Sequence, residues 1–536
     1  MLTPALARAT LLALLSTAPL ALAGSTHDAP PHVVVIMVDD LGWRDLSPAC
    51  WPDPKGPGAR HFMTPAVERL AREGARFSEA YASAPVCTPT RTSFLTGATP
   101  ARNGITYWTR FAGKDQSAKH PLLEAPEWNV DGLQPGDVTL AALLADSHRT
   151  IHVGKAHFGT SPGDEPGAGG GDPTTLGFEV NVAGWAAGGP GSYFGIDDFS
   201  AAKREERLGR KGRDRRWDVP GLEEFHGQEV YLTEALLSRA VLELEAAVED
   251  GERVFLHFAP YAVHAPLLGH PMLASRFPDL DGPELAYATM VHAVDRVTGR
   301  LLETLDELGI ADETIVVWTS DNGGLSAHAR GADLRHRHNL PARSGKGSAY
   351  DGGIRVPLIV RWPGVVEPGR VVDGPVVTHD LFPTLLAATG VEVPKEHAPR
   401  VDGVDLTGVL AGREEVPGDR AILWHQPHFW GVNGPGIEPY SAVRRGRWKL
   451  IYFHSGAEVD VDTGRRSGGP RFELYDLAED VGELRDLAFA RPAVTRGMAG
   501  VLSGLLESSG ASMSISKATG QPVPLPSALL EDATDR

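Results

Sequence analysis

The sequence predicts an α/β protein built on a large, mostly parallel central sheet flanked by helices. Short apolar runs rich in β-branched residues alternate along the chain with amphipathic helical segments. Unusual polar residues follow directly after several of these runs, which is where ligands bind in sheets of parallel strands. Strand-like segments after about residue 415 predict a smaller C-terminal α+β domain that carries an antiparallel sheet.

The composition is that of a globular protein long enough for two domains. The chain has 536 residues, of which 42% are hydrophobic and 22% charged. The formal net charge of -18 argues against a general nucleic-acid binder, because binding to phosphates needs a basic face. An anionic substrate would have to be attracted by a local cluster of cations and a metal ion.

The N-terminus predicts a cleaved signal peptide over residues 1–23. Arg8 precedes a largely apolar run over 11–22, and Ala21-Leu22-Ala23 fits a small-residue cleavage site. The alternative is an anchoring helix that stays in place, but the run is short and Pro19 interrupts it. We therefore expect an exported protein, periplasmic or secreted, with no membrane span after cleavage.

The first domain is predicted over residues 30–415. In chain order, its predicted strands cover residues 33–38, 150–153, 254–259, 314–318 and 356–360. Thr64-Pro65 is suited to begin a helix that stops at Gly74. A second helix keeps apolar spacing from Met290 to Leu308, and Gly309 ends it.

The other segments give weaker signals. Residues 160–225 are rich in Gly, Asp and Arg and predict either a solvated excursion or a lid. The C-terminal domain is predicted over 416–536, with antiparallel strands over 421–424, 448–452 and 472–475. From about residue 510 the chain is polar and contains proline, which predicts a loosely held tail.

Oxygen ligands for a metal ion follow two predicted strands. Asp39 and Asp40 come directly after the first strand, and Asp321 and Asn322 follow the strand that starts at Thr314. Taken singly, each Asp after a strand is typical of a turn or a helix cap. Adjacent carboxylates at the end of a buried strand repel each other unless a cation lies between them. This set suits Ca²⁺ or Mg²⁺, because both prefer hard oxygen ligands.

Cys87 is one of only two cysteines in the chain. It lies close to a possible helix start at Thr92, with Arg91 beside it, and a cysteine at a helix N-terminus next to a cation is placed to be reactive. The alternatives are a buried, inert cysteine or, in an exported protein, a disulfide with Cys50. A catalytic role and that disulfide exclude each other.

Four further residues offer positive charge and proton transfer. Lys155 and His157 follow one predicted strand, His264 follows another, and Lys346 lies between two glycines. Side chains on separate loops after strands could converge on a tetrahedral anion. For a lone loop histidine the ordinary interpretation is a surface or turn residue, and the glycines around Lys346 equally fit a simple turn.

In this combination the chain resembles a type I sulfatase, of the arylsulfatase-like family with an alkaline-phosphatase-type core. The resemblance covers about residues 32–390 and has a weaker echo over 472–477. It is carried by the following motifs, which occur in the family order: Asp39-Asp40, Cys87-x-Pro89-x-Arg91, Gly154-Lys155-Ala156-His157, His264-Ala265-Pro266, Asp321-Asn322-Gly323 and Gly345-Lys346-Gly347.

The resemblance implies a formylglycine-dependent sulfuric ester hydrolase. A maturation enzyme would recognise the Cys-x-Pro-x-Arg pattern and oxidise Cys87 to an aldehyde. One hydroxyl of the aldehyde hydrate would attack the sulfur of the ester, and the second would allow release of sulfate.

The resemblance also assigns roles by position. It implies that Ca²⁺ (or Mg²⁺) is held by Asp39, Asp40, Asp321, Asn322 and the hydrate oxygen at position 87. Arg91 and Lys155 would stabilise the hydrate, and His157 would be the base that removes a proton from it when it collapses. His264 and Lys346 would bind the sulfate, and one of them would protonate the leaving oxygen.

The substrate is less well defined than the reaction. Aromatic, His and Arg residues over 424–430 and 444–449 fit either a platform for sugar rings or a small core with basic turns. The resemblance favours a sulfated carbohydrate, with small aryl sulfates as further substrates. Two alternatives remain: a phosphonate monoester or phosphodiester hydrolase with the same core, and a non-catalytic protein that binds sulfated glycans.

Overall fold

The computed structural model describes residues 29–50, 62–108, 117–126, 132–161, 169–212, 215–327, 335–459, 466–468 and 471–531. The signal peptide predicted over residues 1–23 lies outside this part of the chain. Within the described ranges, no helix has both the length and the apolar character needed to cross a membrane.

Strands occur along nearly the whole length of the described chain. In chain order they are β1 (His32–Val38), β2 (Ala75–Tyr81), β3 (Leu123–Glu124), β4 (Arg149–Gly154), β5 (Val180–Val182), β6 (Val254–Ala259), β7 (Thr314–Ser320), β8 (Leu358–Arg361), β9 (Arg370–Val377), β10 (Ala421–Gln426), β11 (Tyr440–Arg445), β12 (Trp448–Phe453), β13 (Ala457–Val459), β14 (Arg466–Gly468), β15 (Arg471–Asp476) and β16 (Ile515–Ser516).

The α-helices alternate with the strands in the first domain and close the second. They are α1 (Pro65–Glu73), α2 (Cys87–Thr96), α3 (Pro100–Asn103), α4 (Leu140–Leu144), α5 (Ala201–Arg207), α6 (Leu232–Glu249), α7 (Gly282–Glu307), α8 (Asp351–Ile354), α9 (Leu381–Thr389), α10 (Thr407–Leu410), α11 (Pro492–Ser509) and α12 (Pro526–Glu531).

The central sheet confirms the predicted fold class. Its eight strands lie in the order β5-β4-β6-β1-β7-β8-β2-β9, and all neighbours are parallel except that β8 is antiparallel to β7 and β2. Strand β1 is buried along its whole length because both of its faces are apolar. Helices α1, α6 and α7 pack against one face of the sheet, and α2, α4 and α9 pack against the other.

Helix α2 begins earlier than the possible start at Thr92. The residue before it, Val86, is extended, and the helix runs from Cys87 itself to Thr96. Gly97, with a φ of 72°, ends the helix. Cys87 therefore occupies the first helical position, where unpaired backbone N–H groups favour negative charge.

The C-terminal domain carries the predicted antiparallel sheet, in the order β10-β11-β12-β15. Helix α11 packs on this sheet through Met498, Leu502 and Leu506. The prediction of a loosely held tail after residue 510 is wrong for the described residues. Strand β16 pairs with β3, and Val523 is buried in the same core as α11, because isolated apolar residues anchor an otherwise polar segment.

Candidate metal and nucleophile site

The predicted site residues meet beyond the carboxyl ends of four neighbouring strands. Asp39 and Asp40 follow β1, Lys155 follows β4, His264 lies after β6, and Asp321 follows β7. These four strands are adjacent in the sheet, so the segments that follow them share one edge. The N-terminus of α2 brings Cys87 to the same place.

Three carboxylates and one thiol form the centre of the site. Asp39, Asp40, Asp321 and Cys87 each offer one ligand atom, and these four atoms lie within 4.8 Å of one another. The three aspartates are fully buried. Like charges this close in a buried site are unfavourable unless cations offset them.

Each carboxylate is paired with its own cationic side chain. Lys155 Nζ donates to Asp39 Oδ2 at 2.7 Å, and Arg91 Nε donates to Asp321 Oδ2 at 2.8 Å. A third pair is formed by Lys346 Nζ, which donates to Asp40 Oδ1 at 2.6 Å. Although burial opposes ionisation, the neighbouring cations hold the pKa values of Asp40 and Asp321 below their usual range. Burial raises the pKa of Asp39 to about 8, because it outweighs the effect of Lys155.

These pairs leave oxygen atoms free for a metal ion. Asp40 Oδ2 and Asn322 Oδ1 are buried and have no hydrogen-bond partner in the described part of the chain. The amide nitrogen of Asn322 donates to Asp40 Oδ1 at 2.8 Å, which places the amide directly beside the carboxylates. Buried polar atoms without a partner are costly, so their presence here points to a missing ligand. The donor set of carboxylate and amide oxygens fits a hard divalent cation.

Cys87 faces this oxygen set and not a second cysteine. Its Sγ lies 3.1 Å from Lys346 Nζ and 3.8 Å from Asp39 Oδ1. Cys50 and Cys87 are both free, so the structure does not contain the disulfide considered above. Burial raises the pKa of the Cys87 thiol to about 12, despite the nearby lysines. An unmodified thiol here is therefore protonated at neutral pH and a weak nucleophile.

The two predicted histidines lie on either side of this cluster. His264 Nε2 is 3.7 Å from Asp40 Oδ2, and its Nδ1 is 2.7 Å from the carbonyl oxygen of Ala265. His157 is buried, and neither of its ring nitrogens has a hydrogen-bond partner among the described residues. Burial, together with the charges of Lys155 and Arg91, lowers the pKa of His157 well below its usual value. A neutral imidazole of this kind is able to accept a proton.

Sequence reasoning missed two glycines that shape the pockets of these histidines. A Cβ atom at Gly188 would lie 2.5 Å from Cε1 of His157, and one at Gly189 would lie 2.7 Å from Nδ1 of His264. Both belong to the segment 160–225, for which the sequence left a solvated excursion or a lid open. Part of that segment is core, since Trp185 is buried and its carbonyl oxygen accepts from His157 N at 3.0 Å.

The loop around Lys346 approaches two other parts of the site closely. The backbone N–H of Gly347 donates to the carbonyl oxygen of Pro85 at 2.8 Å, which joins the loop to the segment before Cys87. Gly347 has a φ of 86°, and a Cβ atom there would lie 2.3 Å from the ring of Trp430. Gly347 therefore allows an approach between protein segments that a side chain at this position would prevent.

A cavity of about 700 Å³ adjoins the cluster at the junction of the two domains. Its lining includes Asp40, His264 and Lys346 from the cluster, Leu325, Ala327 and Arg335 from the chain after β7, and Trp430, Gly431, Val432 and Asn433 from the C-terminal domain. Its volume is that of a typical small-molecule site. A ligand in this cavity would contact Asp40, His264 and Lys346 directly.

Most of the aromatic and basic residues considered as a sugar platform are core residues. Trp424, His425, His428 and Phe429 are buried. Arg444 donates to the carboxylate of Glu79, and Lys449 is buried beside Asp351. Of this predicted group, Trp430 is the residue that lines the cavity.

Comparisons with known proteins point to one family. The sulfatase family matches residues 31–391, and the C-terminal region of N-sulphoglucosamine sulphohydrolase matches residues 345–498. Steryl-sulfatase of Mus musculus is 31% identical over 547 aligned positions, covering 85% of this chain and 78% of the mouse protein. N-acetylgalactosamine-6-sulfatase of Sus scrofa is 32% identical, covering 87% of this chain and 85% of the pig protein.

Solved structures share the fold. The crystal structure of Ps i-CgsB in complex with k-i-k-neocarrahexaose superposes with a TM-score of 0.68. The two chains are 24% identical, and the match covers 94% of this chain and 98% of that chain. The similarity therefore includes both domains.

Proposed function

Because this chain belongs to the sulfatase family and hydrolyses sulfate esters, we propose that it does so with a formylglycine made from Cys87 and a bound Ca²⁺, on a sulfated carbohydrate. One observation carries the proposal. Cys87 lies at the start of α2, within 4.8 Å of three buried aspartates, and Asp40 Oδ2 and Asn322 Oδ1 beside it have no hydrogen-bond partner among the described residues. An inert buried cysteine would have no need for such surroundings.

The proposed metal ligands are Asp39, Asp40, Asp321 and Asn322. Their oxygens come from three carboxylates and one amide, a donor set that Ca²⁺ readily accepts in irregular geometry. Mg²⁺ is the second candidate, although it prefers to keep several waters, and this site is buried. Such an ion would withdraw electron density from the sulfate group and offset the charge of the carboxylates.

The proposed nucleophile is the hydrate of formylglycine, which supplies one hydroxyl for attack on sulfur and a second for release of sulfate. Arg91 and Lys155 hold positive charge beside position 87, through their contacts with Asp321 and Asp39. Because they are fully buried, these charges act in a medium of low dielectric and need no reorganisation during the reaction. His157, buried nearby with free ring nitrogens among the described residues, is the proposed proton acceptor.

His264 and Lys346 are the proposed groups that bind the sulfate and protonate the leaving alcohol. Both line the cavity, whereas Arg91 and Lys155 do not. The leaving group must depart into this cavity, so a donor on its wall is required. Either residue fits that role by position.

Three observations support a carbohydrate as the leaving group. The cavity volume of about 700 Å³ suits a ligand larger than a small aryl group. Trp430 offers an aromatic ring on the wall, on which the apolar face of a sugar stacks. The pig relative is named for a sulfated amino sugar.

We also propose export through the signal peptide over 1–23 and maturation by an enzyme that recognises Cys87-x-Pro89-x-Arg91.

The reaction is tested with matched esters of one alcohol. Recombinant enzyme, produced together with a formylglycine-generating enzyme and supplied with Ca²⁺, is assayed with 4-nitrophenyl sulfate, a 4-nitrophenyl phosphonate monoester and a panel of sulfated sugars. We expect release of sulfate from the aryl ester and from at least one sugar. Turnover of the phosphonate without turnover of any sulfate would contradict the proposal, and binding of sulfated glycans without any turnover would favour the non-catalytic alternative.

A further inference from the structure

We propose that the natural substrate carries a second anionic group besides the sulfate that is cleaved, and that Arg335 binds this second group. The inference rests on the proposed function, since it assumes that the sulfated end of the substrate lies at Lys346 and His264. It adds a specificity determinant that is not part of the catalytic cluster.

Among the described residues that line the cavity, Arg335 is a cation without an ion-pair partner. It lines the same cavity as Lys346 and His264. Lys346 is already engaged, at 2.6 Å from Asp40 Oδ1 and 3.1 Å from Cys87 Sγ. The side chain of Arg335 is exposed and forms no ion pair with any residue in the described ranges. Its charge is therefore available to a ligand.

The backbone at Arg335 is held in place by the contacts of the next residue, His336. His336 N donates to the carbonyl oxygen of Ser326 at 2.7 Å, and the His336 ring is hydrogen-bonded to the backbone of Asn433. A Cβ atom at Gly434 would lie 2.4 Å from the His336 ring, so the C-terminal loop packs directly on this histidine. Arg335 is thus anchored where the two domains meet, and its position is not that of a free surface side chain.

The negative net charge of the protein gives a cation on the cavity wall a specific role in binding an anionic substrate. With a formal net charge of -18, the protein repels a substrate with two negative charges more strongly than one with a single charge. A guanidinium group on the cavity wall offsets this repulsion locally. Its planar fork matches the oxygens of a sulfate or a carboxylate in a bidentate arrangement.

The remaining walls define the class of substrate. Leu325, Ala327 and Val432 are apolar, and Trp430 is aromatic, so they suit the faces of sugar rings. A sterol sulfate or a simple aryl sulfate has one anionic group and would leave Arg335 without a partner. A saccharide with two anionic groups would engage Arg335 as well as Lys346 and His264. The second group is a sulfate or a carboxylate, and the experiment separates these two sources.

The test compares three disaccharides with the same scissile sulfate: one without a further charge, one with a second sulfate and one with a carboxylate. For the wild-type enzyme we expect kcat/KM to be at least about 10-fold higher for one or both dianions, as befits a charge-assisted bidentate contact. In Arg335→Ala this preference should disappear, while turnover of the monoanion and of 4-nitrophenyl sulfate stays near wild type. Arg335→Lys should keep part of the preference.

Arg337→Ala is the matched control, because Arg337 is exposed, lies two residues further on and does not line the cavity. Arg337→Ala should keep the full preference for dianionic substrates. In the wild-type enzyme this preference should weaken as ionic strength rises. A wild-type enzyme without preference for either dianion, or a preference that survives in Arg335→Ala, would overturn the inference while leaving the proposed function intact. Failure to cleave even 4-nitrophenyl sulfate would reject the proposed function and this inference together.

Discussion

The molecule contains two buried clusters of charged side chains. They differ in whether their oxygen atoms remain available to a ligand that enters from the cavity. The proposed catalytic cluster consists of Asp39, Asp40, Asp321 and their three cations, with Cys87. The junction cluster consists of Asp351, Lys449 and Glu483 and joins the C-terminal domain to the chain that follows Lys346. Both are almost completely inaccessible to solvent.

In the junction cluster each carboxylate oxygen contacts a cation or a hydrogen-bond donor, although Glu483 Oε1 does so only through its ion pair with Lys449. Lys449 Nζ lies 2.8 Å from Asp351 Oδ1 and 2.7 Å from Glu483 Oε1. The second oxygen of Glu483 accepts from Asp351 N at 2.6 Å, and Tyr81 donates to Asp351 Oδ2 at 3.0 Å. None of its three charged residues lines the cavity beside Lys346. Its geometry is that of a structural tie between domains.

The catalytic cluster, in contrast, keeps unused ligand capacity and has access to the cavity. Asp40 Oδ2 and Asn322 Oδ1 lack a hydrogen-bond partner among the described residues, and Asp40 lines the cavity. Burial of charge alone therefore does not identify an active site. The proposed active site is supported by unpaired oxygen atoms that lie next to Cys87 and to the cavity.

The largest effect should follow from Cys87→Ala. We expect sulfatase activity to fall by at least about three orders of magnitude, because the nucleophile acts as a unit with its neighbours. The free energy of unfolding should change far less, since one small side chain is replaced by another. Steady-state kinetics and urea denaturation of the same preparation measure both quantities. Activity retained in this variant would contradict the assignment of the nucleophile.

Lys449→Met should give the opposite result. It leaves two carboxylates buried without their cation, so we expect the free energy of unfolding to fall by about 3–5 kcal/mol. Activity per folded molecule should stay near wild type. Arg300→Met is the control, because Arg300 forms an exposed pair with Glu307 and its loss should leave stability nearly unchanged. A stable but inactive Lys449→Met enzyme would place the junction cluster in the catalytic machinery.

Ca²⁺ should stabilise the protein through the catalytic cluster and not through the junction cluster. At a free Ca²⁺ concentration 100 times the Kd, a single site raises the free energy of unfolding by about 2.7 kcal/mol. Asp39→Asn should remove most of this gain, while Lys449→Met should retain it despite its lower starting stability. Thermal unfolding with Ca²⁺ and with a chelator measures the gain. An equal gain in Asp39→Asn and wild type would show that the ion binds elsewhere.

The smallest effect concerns the packing around His157. In Gly188→Ala the new methyl group must displace the His157 ring, because a Cβ atom there would lie 2.5 Å from Cε1. We expect kcat/KM to fall by about 10- to 100-fold, since displacement of a catalytic group by about 1 Å has effects of this size. Gly497→Ala, at an exposed position of helix α11 with no atom within 4 Å of the new Cβ, should leave activity unchanged. Equal kinetics of the two variants would contradict the role of His157.

Strands buried on both faces could be predicted from the sequence, whereas strands of mixed composition could not. Residues 33–38 and 314–318 form continuous apolar runs, and the structure places strands β1 and β7 there. Strand β2 was missed because its residues, ARFSEAY, mix charged and apolar side chains. Edge strand β9 was missed because Gly and Pro interrupt its apolar residues, which is typical of a turn.

Some features of the candidate site could likewise be predicted from the sequence, and others could not. Its motifs follow strands, and strand order brings them together, so the cluster around Asp39 was accessible to sequence reasoning. The roles of Gly188 and Trp430 depend on contacts between segments far apart in the chain. Residue type left both a sugar platform and a small core open for residues 424–430, and it did not indicate that Trp424 is buried while Trp430 lines the cavity.

The central claim is that position 87 holds the reactive group of a metal-bound hydrolytic centre. Mass spectrometry of the tryptic peptide Phe77–Arg91, taken from a preparation with measured sulfatase activity, tests it most directly. The account predicts an aldehyde at position 87, in a fraction of molecules that scales with the specific activity between preparations. A fully active preparation in which this peptide carries only an intact cysteine, or is linked to Cys50, would contradict it.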